Sequence, residues 1–456
     1  MSSFKILESI IEKKAPGQLV IQLTDRCNAR CPQCGMRVTE KFPRSSLSPD
    51  QVRKIIDAAA EKGFRALSFT GGEPMLMTDE LTGLIRHAGA AGIPFIRTGT
   101  NGFFFSGSHE KGFEKKIARI AENLADSPLR NFWISLDSAL PEVHERMRGF
   151  PGLVAGMEKA LPIFHDHGIR PSVNLGINRN ISEKTMGCLP ADDVAYDHFL
   201  SDFYENFREA FRSFYRFVID LGFTIVNSCY PMSYSEAERS EAVYAAGSDN
   251  IVVKFLPVEK KLLFQALYDT IPEFRSQIRI FSPRTSLYAL IQQYGNSSEK
   301  HSPERLPASA PYPCRGGTDF FYISAKDGNT YPCGYRGNEN LGNFCDLTLN
   351  RQGPDCLRCD WECFRDPSEL FGPLFHGLSD PFGLLRKIRH DPDYPRLWLE
   401  DIRYYRACDF FDGRKAPDYR RMAGFRNERI MRTVKLSKQG AGAKSLLSVF
   451  PAGNIS

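Results

Sequence analysis

Short apolar or β-branched runs recur through the first half of the chain, at residues 19–24, 66–70, 94–98, 132–136, 171–177 and 223–227. Segments with helical periodicity lie between them. In SPDQVRKIIDAAAEKG, Ser48 or Asp50 is a cap candidate and Gly63 a stop. A second helical stretch runs from residue 141 to Gly168. Strands that alternate with helices predict βαβ units and a parallel sheet. Six such units fit a partial or full barrel, or an open doubly wound sheet. The aromatic, acidic stretch between the fifth and sixth runs predicts an extra helix over 199–219. Residues 251–295 read as mostly helical, and the Ser- and Pro-rich residues 296–313 read as a linker.

Composition narrows the class. The 456 residues suggest two or three domains, and 42% hydrophobic with 25% charged residues is ordinary for a globular protein. No apolar run reaches 18 residues, so no membrane span is expected. The N-terminal residues, interrupted by Glu8 and Glu12, do not read as a signal peptide. A cytoplasmic location is the expectation. The net charge of +5 is small. It is unevenly spread, with 16 Lys and Arg against 8 Asp and Glu between residues 386 and 444. Such a segment suits an acidic or RNA partner. A solvated helical face with interspersed acids is the plainer reading, and no RNA-binding motif is visible.

The 12 cysteines change the picture most. Without an export signal, structural disulfides are not expected. Cys188 and Cys229 stand alone and read as ordinary thiols. The others form two groups. Cys27, Cys31 and Cys34 follow the first strand with C-x3-C-x2-C spacing. Three thiolates on one loop cannot close a four-thiolate zinc site alone, and around a four-iron cube they leave one iron open. Loops at the C-terminal ends of barrel strands are where chemistry sits. Thr70-Gly71-Gly72-Glu73-Pro74 then ends the second strand, with a Gly pair for close backbone approach and a carboxylate for an ammonium group.

The second group is Cys314, Cys333, Cys345, Cys356, Cys359 and Cys363, with Cys408 far beyond. Asp327-Gly328 between β-type runs predicts a hairpin that brings Cys314 and Cys333 together. With the Cys356/Cys359 knuckle they offer four thiolates, for zinc or an iron–sulfur cluster alike. Cys408, among aromatics, reads as a buried thiol.

The cysteine loop followed by GGEP resembles the radical S-adenosylmethionine (SAM) enzymes. The resemblance implies a partial (β/α)6 TIM-like barrel with a small C-terminal cysteine-rich β-hairpin domain for an auxiliary cluster. It divides the chain into an N-terminal segment (1–17), the core barrel (18–250), a helical region and linker (251–313), the SPASM/twitch-like domain (314–370) and a basic extension (371–456). It puts a [4Fe–4S] cluster on Cys27, Cys31 and Cys34. SAM then falls to Gly71, Gly72, Glu73 and Pro74, with Asn101, Ser135, Asp137, Arg148 and Asn174 at later strand ends. Gln33 stands where the family usually has an aromatic residue. The second cysteine group departs from the long SPASM pattern, which favours one auxiliary [4Fe–4S] cluster on Cys314, Cys333, Cys356 and Cys359, with Cys363 competing.

The implied chemistry is reductive cleavage of SAM to a 5′-deoxyadenosyl radical that takes hydrogen from a substrate. A flavodoxin- or ferredoxin-type donor would supply the electron. A peptide or cofactor precursor is the favoured substrate, since similar members modify peptides, mature sulfatases or build cofactors. The short stretch before Gly17 leaves no room for a peptide-recognition domain, which disfavours leader-dependent peptides. A nucleoside, RNA or small-metabolite substrate is the first alternative. A non-catalytic iron–sulfur or zinc protein is the second.

Overall fold

The computed structural model describes residues 17–34, 44–183, 193–231, 251–295, 312–349, 356–357, 360–409 and 412–425. Cys188 and Cys359 lie outside them, as does the end of the basic extension. Nine strands form one sheet: β1 (Gln18–Thr24), β2 (Ala66–Gly71), β3 (Phe95–Thr100), β4 (Leu129–Ser135), β5 (Ser172–Gly176), β6 (Ile225–Cys229), β7 (Arg279–Ile280), β8 (Phe320–Ile323) and β9 (Thr330–Tyr331). The spatial order is β7-β6-β5-β4-β3-β2-β1-β8-β9. Every neighbouring pair is parallel except β8 with β9. Seven of these strands, β1–β6 and β8, contribute side chains to one shared cavity, so the sheet curls around it as a partial barrel.

The two faces of each strand divide the core. In β1, Leu19, Ile21 and Leu23 pack outward on the helices, while Val20 joins an inner cluster with Phe320, Tyr322 and Trp361. Strand alternation makes that division unavoidable. The outer helices follow from their own patterns. In α1 (Pro49–Glu61), Ser48 caps the N-terminus by accepting from Gln51 N–H at 3.2 Å, with Pro49 in the first turn. Val52, Ile55, Ile56 and Ala59 face the sheet, and Gly63 at φ +81° ends the helix. The expected extra helix is present as the longer α6 (Asp193–Asp220). Phe203, Phe207, Phe211 and Phe214 form its buried stripe. The intervening helices are α2 (Thr78–Ala90), α3 (Phe113–Ala125), α4 (Pro141–Arg148) and α5 (Leu153–Asp166).

The structure departs from the sequence expectation in two places. The helical region after residue 250 supplies α7 (Pro257–Phe274) and α8 (Arg284–Gly295), but also β7 between them. A two-residue strand is too short to leave an alternating pattern. The expected hairpin, in turn, does not stand apart from the core. Its first strand, β8, lies parallel beside β1 with Leu19 opposite Phe321, so the cysteine-rich region extends the barrel's own sheet. The next helix, α9 (Glu362–Ser379), enters the barrel, and Cys363, Pro367 and Phe371 line the cavity.

The basic extension packs underneath. It folds into α10 (Pro381–His390), α11 (Asp393–Ala407) and α12 (Tyr419–Met422). Asp401 is fully buried. It pairs with buried Arg275 and accepts from Thr285 N–H and Oγ1, both at 2.9 Å. Arg279 donates to the carbonyls of Asp412 and Lys415, and Arg414 donates to those of Leu124 and Ala125. Arg414 of the extension, together with Arg275 and Arg279 of the barrel side, therefore holds this segment to the barrel. Removing one member of a buried pair leaves an uncompensated charge. Asp401→Ala should lower the stability of the full chain by about 3–5 kcal/mol in denaturant unfolding, whereas Arg386→Ala, on an exposed pair, should change it by less than about 1 kcal/mol.

Candidate active site

The site is built where the loop after β1 meets the turn after β2. Gly72 N–H donates to Thr24 O at 2.7 Å, and Glu73 N–H donates to Arg26 O at 2.9 Å. The two glycines are required by this contact. A Cβ on Gly72 would lie 2.0 Å from the Arg26 carbonyl oxygen, and one on Gly71 2.3 Å from that of Thr24. Gly71 also adopts φ +155°. The close approach expected for a ligand is here made by the cysteine loop itself.

Glu73 is buried to 1% exposure. Its carboxylate accepts from Met75 N–H at 3.0 Å and from Asn101 N–H at 2.6 Å. Burial pushes its pKa up to about 7 in spite of these bonds. Pro74 opens the single 3-10 turn that follows, Pro74–Met77. Asn101 ties the third strand end to the same loop. Its Nδ2 donates to Asn28 Oδ1 at 2.9 Å and contacts Cys27 Sγ at 3.7 Å.

Asp137 and Arg148 find each other. Arg148 grips the carboxylate with Nε at 2.7 Å and Nη2 at 2.8 Å, and its Nη1 stands 3.7 Å from Cys31 Sγ. Gln33 Nε2 adds a bond to Asp137 at 2.8 Å. Burial alone would raise this carboxyl, but Arg148 and His144 outweigh it and hold Asp137 at about 2. Both oxygens of Asp137 are thus engaged within the protein, where they hold Arg148 and Gln33. Gln33, which marks the sequence's departure from the family pattern, has a buried Oε1 with no partner.

Cys27, Cys31, Cys34, Gly72, Asn101 and Arg148 line one pocket. Cys31, Cys34, Gly72, Asn101 and Arg148 also line the barrel cavity of about 660 Å³, with Gln33, Glu73, Ser135, Asp137 and Asn174 around it. Asn174 Oδ1 accepts from Asn227 Nδ2 at 2.7 Å and from the Cys229 thiol at 3.2 Å. Among the described residues, no set of three or more His, Cys, Asp or Glu side chains stands close enough to grip a single metal ion.

The later cysteines separate. Cys314 N–H donates to Cys356 O at 2.7 Å, and Cys314, Cys333 and Cys356 lie within electrostatic reach of one another. Cys363 does not sit with them electrostatically. It faces the barrel cavity, where Glu362, Arg97 and Asp366 act on it, and its thiol stands 3.6 Å from Glu362 Oε1. The reason is helical: Cys363 lies on the first turn of α9, which enters the barrel. Cys345 lies outside the barrel against Lys54 of α1, and Cys408 is buried beside Tyr404 and Met422. Cys229, taken from the sequence for an ordinary thiol, also lines the cavity. Its place at the end of the sixth strand was the available signal, since Asn227 and Cys229 share one face of β6.

Residues 21–181 match the Radical SAM superfamily model. The match spans the cysteine loop, the GGEP turn and the strands from within β1 to β5, and it supports a radical SAM enzyme with a [4Fe–4S] cluster and SAM as its cofactors. It is 22% identical over 362 residues to an AdoMet-dependent heme synthase of Methanosarcina barkeri, covering 78% of this chain and 87% of that one. It is 29% identical over 163 residues to a probable GTP 3′,8-cyclase of Thermococcus kodakarensis, covering 35% of this chain and 48% of the relative. Among solved structures, Streptococcus suis SuiB bound to S-adenosylmethionine superposes with a TM-score of 0.47 at 16% identity, over 74% of this chain and 66% of that one. anSMEcpe with bound AdoMet gives 0.46 at 14% identity, over 93% and 100%.

Two outcomes test this geometry. Gly72→Ala should break the contact with Arg26 and cost the reconstituted chain about four iron atoms, counted chemically. Asp137 has a folded pKa near 2, below its unfolded value of 3.8. Its stabilisation is therefore complete above about pH 4 and lost as the pH falls toward 2. Between pH 6 and pH 3, denaturant unfolding should show the native chain losing roughly 1 kcal/mol more than Asp137→Asn.

Proposed function

We propose that Cys27, Cys31 and Cys34 ligate the [4Fe–4S] cluster and that SAM lies beside them, at the strand-end rim of the barrel cavity. The convergence of three thiols, the Gly72 turn, Asn101 and Arg148 on one pocket carries this reading. The buried, partnerless Oε1 of Gln33 fits it as well, because a buried acceptor calls for a donor and the adenine or ribose of SAM has several. Bound there, the cluster and SAM supply reductive cleavage of SAM and hydrogen abstraction from a substrate.

The chain's own residues orient the parts. Glu73 receives the amino group of SAM, and a cation beside it favours its ionised form against the upward push of burial. Arg148 Nη1, which Asp137 leaves free, is placed for the SAM carboxylate. Asn174 and Ser135 line the wall where the ribose would lie. Trp361 and Phe371 line the cavity from the α9 side and restrict water.

Cys314, Cys333 and Cys356, with Cys359, hold one auxiliary [4Fe–4S] cluster in this reading, and Cys363 is left out of the ligand set. A flavodoxin- or ferredoxin-type protein is the electron donor. The relative matched over most of its length is named for heme synthesis and the next for GTP cyclisation. A cofactor precursor therefore stands ahead of a peptide as substrate.

Anaerobic reconstitution should give about eight iron atoms per chain. Cys333→Ser should lower this to about four, and Cys363→Ser should leave it at about eight. The native chain with dithionite and SAM should release 5′-deoxyadenosine, and Cys34→Ala should release none. Bound zinc without 5′-deoxyadenosine would sink the reading.

A further inference from the structure

Arg97 sits in the middle of β3, paired in register with Ser68 of β2, and its neighbour across β4 is Asn131. All three face the barrel interior. Arg97 Nε donates to Ser68 Oγ. Among the described residues it pairs with no carboxylate. The cavity's acids are engaged elsewhere: Asp137 by Arg148, Glu73 by backbone N–H groups, and Glu362 by Tyr230 N–H and the two thiols beside it. Among the described residues the two terminal nitrogens of Arg97 have no hydrogen-bond partner, and they are not sealed off from solvent. Because Arg97 lies inside a strand with neighbours on both sides, the solvent that reaches them is that of the cavity.

Beside the polar neighbours Ser68 and Asn131, the cavity also carries aromatic walls: Trp133, Phe320, Trp361 and Phe371. Gly99 opens room for one of them, since a Cβ there would fall 1.8 Å from Trp133 Nε1. A guanidinium that faces a cavity without a carboxylate partner is open to a charge supplied by whatever enters the cavity. Its planar fork suits a carboxylate held by two parallel hydrogen bonds.

We propose that Arg97 is the anchor for a substrate carboxylate, and that the substrate is a flat or aromatic apolar molecule carrying that group. The carboxylate lies toward the middle of the barrel. The body of the molecule reaches up between the aromatic walls to the strand ends, where the cysteine loop and Glu73 stand. Arg65 lines the same cavity and also pairs with no carboxylate among the described residues, so the choice of a carboxylate over a phosphate rests on the two terminal nitrogens of Arg97 meeting two oxygens in one plane. This inference rests on the proposed function, because it places the substrate of that same site.

Pyrenebutyrate, its methyl ester and a pyrenylmethyl phosphate serve as probes. Each is titrated by fluorescence anisotropy against the reconstituted full chain with SAM present. The acid should bind at least about tenfold more tightly than the ester. Arg97→Leu should remove that preference, and Arg97→Lys should retain part of it, with iron content and circular dichroism unchanged. Equal binding of acid and ester by the native chain would overturn the proposal whatever the variants do. So would tighter binding of the phosphate, or a preference that survives Arg97→Leu. Release of 5′-deoxyadenosine is measured on the same samples. Cleavage without acid preference removes the substrate class alone. Acid preference without cleavage removes the catalytic reading alone.

Discussion

The whole site depends on the backbone contact between the first two strand ends. Thr24 and Arg26 offer their carbonyls to the N–H groups of Gly72 and Glu73, and no side chain fits between them. This sets the height of the cysteine loop above the sheet. It also places Glu73 where Asn101, from the third strand end, can bond both to its carboxylate and to the cysteine loop. Three consecutive strand ends are thus fixed to one another by short, buried polar contacts. A loop carrying three thiols and no secondary structure of its own could not hold a ligand geometry without such support.

Buried charge is arranged in the same way at several depths. Asp137 with Arg148 braces the site, Arg179 with Glu259 closes the side of the barrel, Lys260 with Asp360 joins α7 to the approach of α9, and Asp401 with Arg275 fastens the extension. Each pair joins segments distant in sequence or braces a loop. Apolar packing could supply comparable stability, but it does not dictate register as strictly. Against this pattern, Arg97 stands out as a cation within the barrel that no acid answers among the described residues.

Much of the fold was legible because the strands of a parallel barrel are buried on both faces and short. The six runs of the first half emerge within a few residues of where they were read, and Ser48 and Gly63 bound α1 as their chemistry requires. β7 was missed because two residues cannot show a period. The union of β8 with β1 was missed because pairing across about 300 residues leaves no local trace. At the site, the contact of the two glycines with the cysteine loop and the grip of Arg148 on Asp137 join residues from separate segments, which no local pattern announces. A Gly-Gly turn and a strand-end Asp look the same in sequence whether they touch a cofactor or the neighbouring loop.

The cysteines show how topology sorts what spacing cannot. Cys356 and Cys363 are seven positions apart and look like one cluster motif. Between them Trp361 turns the chain from the hairpin into α9, so Cys356 faces Cys314 and Cys333 while Cys363 faces the barrel. Cys229 arrives at the same place from the opposite direction, at the end of β6. Glu362 lies within hydrogen-bonding reach of both thiols, and burial pushes the pKa values of the thiols and of the carboxyl upward. Burial raises the thiols of Cys27, Cys31, Cys314 and Cys333 as well, so the two sets differ in the neighbours they face and not in their protonation. The cysteines thus fall in two kinds of place: segments where thiols gather in threes, and the cavity wall, where Cys229 and Cys363 flank Glu362.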